Sequence, residues 1–254
     1  MKHTFENAFI TGASSGLGRA IALELARRGT RCVLAARRLP ELEQLAAEIR
    51  AAGGRADVCE LDVRDTPGLR SAMDTWDRTV GGFDLVLANA GIGLALPAAE
   101  LVWEDVEEVI EVNFTAALAT LIEGKNLMLP RCTGTLVGMS SLAGERGMPG
   151  AGAYAATKAG LQSFLETLEI DLRRSGLTIV DIQPGFVRTP MTDANTGKMP
   201  FLMEVERAAV LCVDGIQRGD SVISFPWQLS WLARGLVRYL PRPVWRWIAQ
   251  AVDS

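Results

Sequence analysis

The sequence predicts one α/β domain built on a doubly wound parallel β-sheet, with a small helical extension at its C-terminal end. Short apolar runs alternate with longer amphipathic stretches as far as about Gly185, which is the pattern of repeated βαβ units. The apolar runs are rich in Val, Ile and Leu without polar alternation, as expected for strands covered on both faces. A chain of 254 residues with no internal repeat or linker fits a single domain, residues 1–254.

Taken in order along the chain, the apolar runs predict seven strands. They occupy residues 8–11, 31–36, 56–61, 85–88, 135–139, 177–182 and 221–225. Helical periodicity lies between them, most clearly at residues 18–28, 40–52 and 155–174. The alternation ends after Phe225, and the predicted extension occupies residues 226–252 or thereabouts.

The composition excludes some classes of function. It is 48% hydrophobic and 22% charged, which is ordinary for a globular protein with a sizeable core. The formal net charge is -4. Because no overall basic field would attract nucleic acid, we expect no nucleic-acid partner.

Cysteine and histidine usage narrows the chemistry further. Cys32, Cys59, Cys132 and Cys212 are far apart, show no C-x-x-C spacing, and three of them sit within apolar runs. Buried free thiols are therefore expected rather than a disulfide or a metal site. The one histidine, His3, lies at the N-terminus. Zinc sites and Ser–His or Cys–His catalysis need a histidine among ordered groups, so we expect no metal.

The beginning of the chain indicates its location. Met1 is followed within a few residues by Phe5 and Glu6 rather than by a long apolar stretch, so no signal peptide is expected. No segment offers the roughly 20 apolar residues that a membrane-spanning helix needs. We therefore expect a cytoplasmic protein.

A glycine-rich turn joins the first strand to the first helix. It reads Thr11-Gly12-Ala13-Ser14-Ser15-Gly16-Leu17-Gly18. Glycines let the backbone approach a pyrophosphate, and a helix N-terminus supplies free N–H groups and a positive dipole end. Glycines also serve ordinary turns, but the position between a strand and an amphipathic helix favours a dinucleotide site.

The end of the second strand bears on which dinucleotide is bound. Many NAD-binding folds place an acidic residue about 20 residues beyond the glycines, where it holds the ribose 2′-OH. Here Ala36 stands at that point and Arg37 and Arg38 follow. A guanidinium can bind a 2′-phosphate through two hydrogen bonds. We therefore expect NADP(H) in preference to NAD(H); in the alternative, the two arginines are the solvated start of a helix.

Tyr154 and Lys158 stand four residues apart on a predicted helix, so their side chains share a face. An unperturbed tyrosine, with a pKa of about 10, is a poor base at neutral pH. A nearby ammonium would lower the pKa of the phenol towards the working range. A Y-x-x-x-K pair by itself is usually helix surface, but this tyrosine is one of only two in the chain and follows a glycine-rich loop after the fifth strand.

These motifs together resemble the short-chain dehydrogenase/reductase family. The glycine spacing T-G-x-x-x-G-x-G departs from G-x-G-x-x-G and matches that family, and the resemblance continues through Asn89-Ala90-Gly91 to Thr189. It covers about three quarters of the chain and implies a Rossmann-type fold. The family's serine lies thirteen residues before its tyrosine, which selects Ser141 rather than Ser140. The implied catalytic set is Asn113, Ser141, Tyr154 and Lys158.

The resemblance also implies a set of cofactor contacts. Asp62 would hold the adenine amino group, the segment beginning at Asn89 would brace the sheet beside the cofactor, and Val187 and Thr189 would contact the carboxamide. With Arg37 and Arg38 added from their charge, the predicted cofactor-binding residues are Gly12, Ser14, Ser15, Gly16, Leu17, Gly18, Arg37, Arg38, Asp62, Val63, Asn89, Ala90, Gly91, Tyr154, Lys158, Pro184, Gly185, Val187 and Thr189.

The mechanism that the resemblance implies is hydride transfer between nicotinamide and a carbonyl or secondary alcohol. Ser141 and Tyr154 would donate hydrogen bonds to the carbonyl oxygen, and Tyr154 would protonate the alkoxide. Lys158 would tune the phenol and bind the ribose hydroxyls. Asn113 would hold a water that links Lys158 to solvent. The resemblance also implies a homodimer or homotetramer that associates through helices including the Tyr–Lys helix.

A segment of about residues 188–205 is expected to cover a small-molecule carbonyl or alcohol substrate. Its apolar side chains favour an apolar substrate or a lid, with packing on the core as the alternative; they are Met191, Met199, Phe201, Leu202 and Met203. Further lining candidates are Leu94, Leu96, Leu142 and Met148. Arg146 is the one candidate anchor for a charged substrate, although a lone loop arginine is usually solvated.

The extension is rich in tryptophan and arginine and admits three interpretations. Packing in a subunit interface or beside the substrate entrance comes first. Peripheral membrane contact comes second, because Trp and Arg suit a membrane interface. A core helix comes third. Pro241 and Pro243 interrupt any single long amphipathic helix, which weakens the membrane interpretation.

Two other functions remain open at this point. A 3-oxoacyl-thioester reductase would be favoured by a basic patch near the substrate entrance, and the sequence does not clearly show one. A non-enzymatic NADPH-sensing module would bind the cofactor without turnover. The intact set of Asn113, Ser141, Tyr154 and Lys158 speaks against it, because a sensor does not need an acid–base pair.

Overall fold

A seven-stranded sheet forms the centre of the computed structural model, which describes residues 3–193 and 199–253. Within these residues the strands pair in the order β3-β2-β1-β4-β5-β6-β7, and each pairing is parallel. The strands are β1 (Asn7–Thr11), β2 (Arg31–Ala36), β3 (Arg55–Glu60), β4 (Leu85–Ala88), β5 (Gly134–Met139), β6 (Leu177–Pro184) and β7 (Val222–Phe225). The order reverses between β1 and β4, and a ligand crevice is expected at that point, outside the carboxyl ends of the strands.

Helices cover both faces of the sheet, which confirms the predicted doubly wound fold. The described α-helices are α1 (Gly16–Arg27), α2 (Leu39–Ala51), α3 (Thr66–Val80), α4 (Trp103–Ile110), α5 (Ala116–Met128), α6 (Gly152–Leu172), α7 (Pro190–Asp193), α8 (Val205–Arg218), α9 (Trp227–Ser230) and α10 (Arg242–Asp253). One buried cluster packs α1, α2 and α8 on one face, and a second packs α3, α5 and α6 on the other. The carboxyl ends of the strands are thus held in fixed register.

The predicted strands and helices are found, and the differences lie at their ends. The largest is at α6, which begins at Gly152 rather than at the expected residue 155 and therefore includes Tyr154 in its first turn. Helix ends are set by local hydrogen bonds that apolar periodicity does not encode.

The C-terminal extension consists of short helical pieces. After α9 come a π-helical segment, Trp231–Leu236, a 3₁₀ segment, Val237–Tyr239, and then α10. No helix among the described residues is long and apolar enough to cross a membrane.

The cysteines depart from expectation at one position. Cys32, Cys59 and Cys212 are buried free thiols as expected, and burial raises the pKa of Cys32 to about 12. Cys132 is exposed. It follows the 3₁₀ segment Leu129–Arg131 with a positive φ of 52°, at a surface turn outside the sheet, so the expectation of burial is wrong there.

Candidate active site

The glycine-rich turn lies against the end of β4. A Cβ on Gly18 would come within 2.3 Å of Asn89 Nδ2, so only glycine permits this approach. The Asn89 amide donates to the carbonyls of Thr11 and Gly12 at 2.9 and 3.2 Å. The Thr11 hydroxyl accepts from the backbone N–H groups of Asn89 and Ala90. The turn is therefore fixed in place, with the N-terminus of α1 directed at the crevice.

Arg38 lies across this turn. Its Nη2 donates to the hydroxyls of Ser14 and Ser15 at 2.9 and 2.7 Å. Arg37 is exposed beside it, and buried Ala36 leaves no carboxylate at the end of β2. The arrangement places positive charge beside the glycine turn, where a ribose phosphate would meet it.

Asp62 and Val63 follow β3, with Leu61 between them and its last residue, Glu60. Arg64 donates to the Asp62 carboxylate at 2.7 Å, which lowers the pKa of Asp62, and Arg37 acts in the same direction. Val63 is buried and packs with Ala90. Both residues thus lie at the crevice edge near the segment Asn89-Ala90-Gly91.

Asn113 lies in a π-helical segment, Glu111–Thr115, that joins α4 to α5. It is fully buried, and its side chain accepts from the Ile92 N–H at 2.7 Å and donates to the Ile92 carbonyl at 2.8 Å. A Cβ on Gly91 would lie 3.3 Å from Asn113 Oδ1 and 3.6 Å from Lys158 Nζ. Asn113 and Lys158 therefore meet at the end of β4.

Ser141 and Tyr154 face each other across the end of β5. The Ser141 hydroxyl accepts from the Ala143 N–H at 3.1 Å and donates to the Pro184 carbonyl at 3.3 Å. It also lies near enough to the Tyr154 phenol to lower the pKa of that group. Lys158 Nζ donates to the Met139 carbonyl at 2.7 Å and lies 5.6 Å from the centre of the Tyr154 ring. The four residues of the predicted catalytic set thus converge at the carboxyl ends of β4 and β5.

Burial displaces the pKa of both ionisable members of this set. Desolvation raises the pKa of Tyr154, and the hydrogen bond with Ser141 opposes that rise. Desolvation lowers the pKa of Lys158 to about 8, and the charge of Asp181 opposes that fall. The expected lowering of the tyrosine pKa is therefore wrong in this arrangement, because desolvation of the phenolate is the largest influence on that pKa and raises it.

The segment after β6 closes the crevice from the other side. Pro184 is the last residue of β6, and the Gly185 N–H donates to the Phe225 carbonyl at 2.7 Å. Val187 is buried and bridges to Met203. The methyl group of Thr189 lies close to Gly16, since a Cβ there would be 3.4 Å away. The predicted carboxamide contacts and the glycine turn therefore share one crevice.

Comparisons with known proteins bear directly on this geometry. A family model described as short chain dehydrogenase matches residues 6–199. An oxidoreductase of Myxococcus xanthus is 47% identical over 241 residues, covering 95% of each chain. The chain belongs to the short-chain dehydrogenase family. The protein is accordingly an oxidoreductase that acts on CH–OH or C=O groups with a nicotinamide cofactor.

Two further relatives have informative names. A 3-oxoacyl-(acyl-carrier-protein) reductase of Synechocystis is 32% identical and aligns with 81% of this chain and 83% of its own. A solved short-chain dehydrogenase of Sphingobium yanoikuyae in complex with NADPH has a TM-score of 0.80 at 27% identity, covering 93% of this chain and 97% of that one.

The predicted substrate-covering segment is only partly described, because residues 194–198 lie outside the described part of the chain. Met191 and Phe201 are exposed, with 46% and 54% of their surface in solvent. Met203 is buried in the core, as the packing alternative proposed. Met199 and Leu202 are half-buried. Met191 lies close to Gly93, so it stands beside the end of β4.

The other candidate lining residues divide in a similar way. Leu142 is buried and Met148 is exposed, whereas Leu94 and Leu96 are half-buried. Arg146 is neither solvated nor free to bind a substrate. Its Nη1 donates to the carbonyls of Val237 and Leu240 at 2.6 Å each.

Four residues that no sequence motif marks also help to position the site. The Gln162 amide donates to the Ser141 carbonyl at 2.8 Å. Ser140, which the family spacing set aside, donates a hydrogen bond to buried Asp181, and Gln183 donates to the same carboxylate at 2.6 Å. The only feature of the sequence that could have indicated Ser140 and Gln183 is Asp181, an acidic residue within the apolar sixth strand. A buried carboxylate needs hydrogen-bond partners close to it.

In residues 3–193 and 199–253, no three histidine, cysteine or acidic side chains are grouped so that they could hold a metal ion. The expectation that the chemistry uses no metal stays a prediction.

Proposed function

We propose that the protein is an NADP(H)-dependent oxidoreductase that interconverts an apolar carbonyl compound and its secondary alcohol. The observation that carries this proposal is the meeting of two groups of residues at one crevice. The glycine turn with Arg38 lies at the ends of β1 and β2, and Ser141, Tyr154 and Lys158 lie beside it at the end of β5.

The residues present fit a dinucleotide phosphate. Backbone N–H groups at the start of α1 would bind the pyrophosphate, since the glycine turn leaves no side chain in their way. Arg38, Arg37 and Ser14 would bind the 2′-phosphate, and no acid stands at Ala36 to repel it. Asp62 would accept a hydrogen bond from the adenine amino group. Val187 and Thr189 would meet the carboxamide.

The role proposed for each catalytic residue follows from whether its side chain can donate, transfer or stabilise a proton. When bound, the nicotinamide supplies or accepts the hydride at the reacting carbon. Ser141 and Tyr154 would donate hydrogen bonds to the substrate oxygen, and Tyr154 would transfer its proton to that oxygen as negative charge develops. The Lys158 ammonium would bind ribose hydroxyls and stabilise the phenolate that remains. Asn113 would hold the Gly91–Ile92 segment, and with it the position of Lys158.

The protonation state of Tyr154 is compatible with carbonyl reduction at neutral pH. A phenol whose pKa is raised by burial stays protonated and can act as the acid. Alcohol oxidation needs the phenolate as base, so its rate should rise at alkaline pH.

An apolar substrate is supported by the side chains around the entrance. Met191 is exposed beside Gly93, Met148 is exposed in the loop between Ser141 and Tyr154, and Phe201 is exposed in the segment after β6. Adaptable methionines suit irregular apolar ligands. The 3-oxoacyl-thioester alternative draws support from the Synechocystis relative. Against this alternative, neither Arg146 nor Arg188 is free to bind an anionic substrate. Arg146 donates to backbone carbonyls, and Arg188 pairs with Glu204 at 3.0 Å.

A homodimer or homotetramer and a cytoplasmic location belong to the same proposal. Light scattering tests the first, and a stable monomer would contradict it.

The cofactor is tested by measuring the dissociation constants of NADPH and NADH. Wild-type protein should bind NADPH more tightly. Substitution Arg38→Gln should weaken NADPH binding by roughly ten- to a hundredfold, since charge-assisted hydrogen bonds contribute about 1.5–3 kcal/mol. NADH binding should change little. Arg55→Gln removes the same charge at the opposite end of the sheet and serves as the control. Equal weakening of both cofactors would contradict the role of Arg38.

The chemistry is tested with Tyr154→Phe, which keeps the ring and removes the acid. Reduction of apolar ketones should fall by about 10²–10⁴-fold, while NADPH binding survives. Retained turnover in this variant would show that another group is the acid. If wild-type protein binds NADPH but turns over no ketone in a broad panel, the sensing alternative gains support.

A further inference from the structure

The C-terminal extension carries large apolar side chains that face solvent. Trp231, Tyr239 and Trp247 have 67%, 75% and 72% of their surface exposed, and Leu236 and Val244 have 45% and 43%. We call these five residues the aromatic surface. Folded proteins seldom expose so many large apolar groups in one short segment unless a partner covers them.

The aromatic surface is held at one place on the molecule. Glu145 forms ion pairs with Arg234 and Arg238, and Trp245 Nε1 donates to the Gly147 carbonyl at 2.9 Å. Together with the bonds of Arg146, these contacts fix residues 234–245 against the loop that follows Ser141. Trp231 precedes Arg234 by three residues and Trp247 follows Trp245 by two. Each therefore lies within about one helical turn of the anchored segment.

The charge of the extension is opposite to that of the rest of the protein. Residues 226–252 contain four arginines and no acidic residue, and Asp253 at the end of α10 is the one acidic residue of the extension, although the whole chain carries -4. Two of these arginines share Glu145, whose side chain is almost fully buried. Arg242 and Arg246 are exposed on α10. The exposed apolar groups are thus accompanied by two exposed arginines, in an extension whose net charge is positive.

This charge argues against a second copy of the chain as the occupant. A symmetric dimer through the aromatic surface would bring the same arginines from both copies together, and like charges in contact are repulsive. An anionic lipid surface has the complementary charge. Tryptophan and tyrosine are the side chains that favour the bilayer interface, where an apolar body meets a wet edge.

The two prolines do not break this surface. Pro241 immediately precedes α10 and Pro243 is its second residue, a position at which proline costs little because its missing N–H has no partner in the helix. Val244 and Trp247 follow on one side of the helix, three residues apart, while Arg242 and Arg246 lie on another. The prolines therefore separate α10 from the preceding pieces without dividing its face.

We propose that the aromatic surface and its neighbouring arginines bind the surface of an anionic lipid bilayer, with α10 lying in the interface. The tryptophans enter the boundary between headgroups and acyl chains, and Arg242 and Arg246 lie among the anionic headgroups. This attachment is independent of the catalytic proposal.

Vesicle flotation tests the proposal with the full-length protein. Wild-type protein should float with vesicles of phosphatidylcholine and phosphatidylglycerol in equal parts, and bind pure phosphatidylcholine weakly. High salt should reduce binding, because it screens the arginines. Arg242→Gln/Arg246→Gln should weaken binding about thirtyfold, or roughly fivefold per arginine. The matched control is Arg173→Gln/Arg174→Gln at the end of α6.

The aromatic contribution is tested separately. Trp231→Ser/Trp247→Ser should weaken binding at least about tenfold. Trp103→Ser is the matched control, since Trp103 is 61% exposed on α4. Circular dichroism melting curves should show that all variants fold. The proposal is overturned if folded wild-type protein fails to float with anionic vesicles, if the control substitutions have equal effects, or if the tryptophan substitutions change the oligomeric state without changing vesicle binding.

Discussion

At Tyr154 and Lys158, burial acts on an acid and a base at once and favours the neutral form of each. For Lys158, the lowered pKa makes the free energy of unfolding depend on pH, and this dependence can be measured. Its pKa is about 8 in the folded protein against 10.5 for the ordinary side chain. Between these values the unfolded chain binds the additional proton, so the free energy of unfolding rises with pH across this window.

Substitution Lys158→Met removes that dependence. The free energy of unfolding of wild-type protein should rise relative to the variant between pH 8 and pH 10.5, by about 1 kcal/mol for each pH unit. Below pH 8 the difference should be constant. Urea unfolding at a series of pH values measures it, with Lys125→Met on α5 as the control. Parallel curves for wild type and Lys158→Met would contradict the displaced pKa.

At the scale of elements, the loop between Ser141 and Tyr154 joins the catalytic groups to the extension. Arg146→Ala removes the hydrogen bonds to the carbonyls of Val237, Arg238 and Leu240 and the contact with the Trp245 ring at 5.5 Å. Charge-assisted bonds contribute about 1.5–3 kcal/mol. Hydrogen exchange should therefore become at least about tenfold faster across residues 234–249.

The same variant distinguishes local from global effects. Exchange in β4 and β5 should stay unchanged, because their bonds lie in the sheet. The control is Arg173→Ala, which changes an exposed arginine immediately after α6. Unchanged exchange in the extension of Arg146→Ala would mean that apolar packing, and not this arginine, holds the extension.

The strands could be predicted from sequence because parallel strands covered on both faces are apolar throughout, as Leu85–Ala88 is. The glycine turn and the Tyr154–Lys158 pair could be found because their partners lie close along the chain or match family spacing. Arg146 could not be placed, since its partners lie 91 and 94 residues away. The raised pKa of Tyr154 could not be predicted from the sequence either, because it depends on how deeply the phenol is buried.

At the scale of the whole molecule, charge is segregated between the extension and the body of the protein. The acidic body would be repelled by an anionic surface, whereas the extension is attracted to it. Attraction of one end and repulsion of the other would orient the molecule at a bilayer. Because the loop that anchors the extension also connects Ser141 to Tyr154, this orientation would bring the crevice entrance towards the lipid.

If both proposals hold, an apolar ketone dissolved in the bilayer reaches the crevice without crossing water. With a long-chain ketone in anionic vesicles, the KM of wild-type protein should be at least about tenfold below that of Trp231→Ser/Trp247→Ser. With a short water-soluble ketone, kcat/KM should be equal for the two proteins. Equal losses on both ketones would mean that the tryptophans support the crevice itself. Equal KM values on vesicles, with flotation intact in the wild type, would mean that attachment and substrate entry are separate.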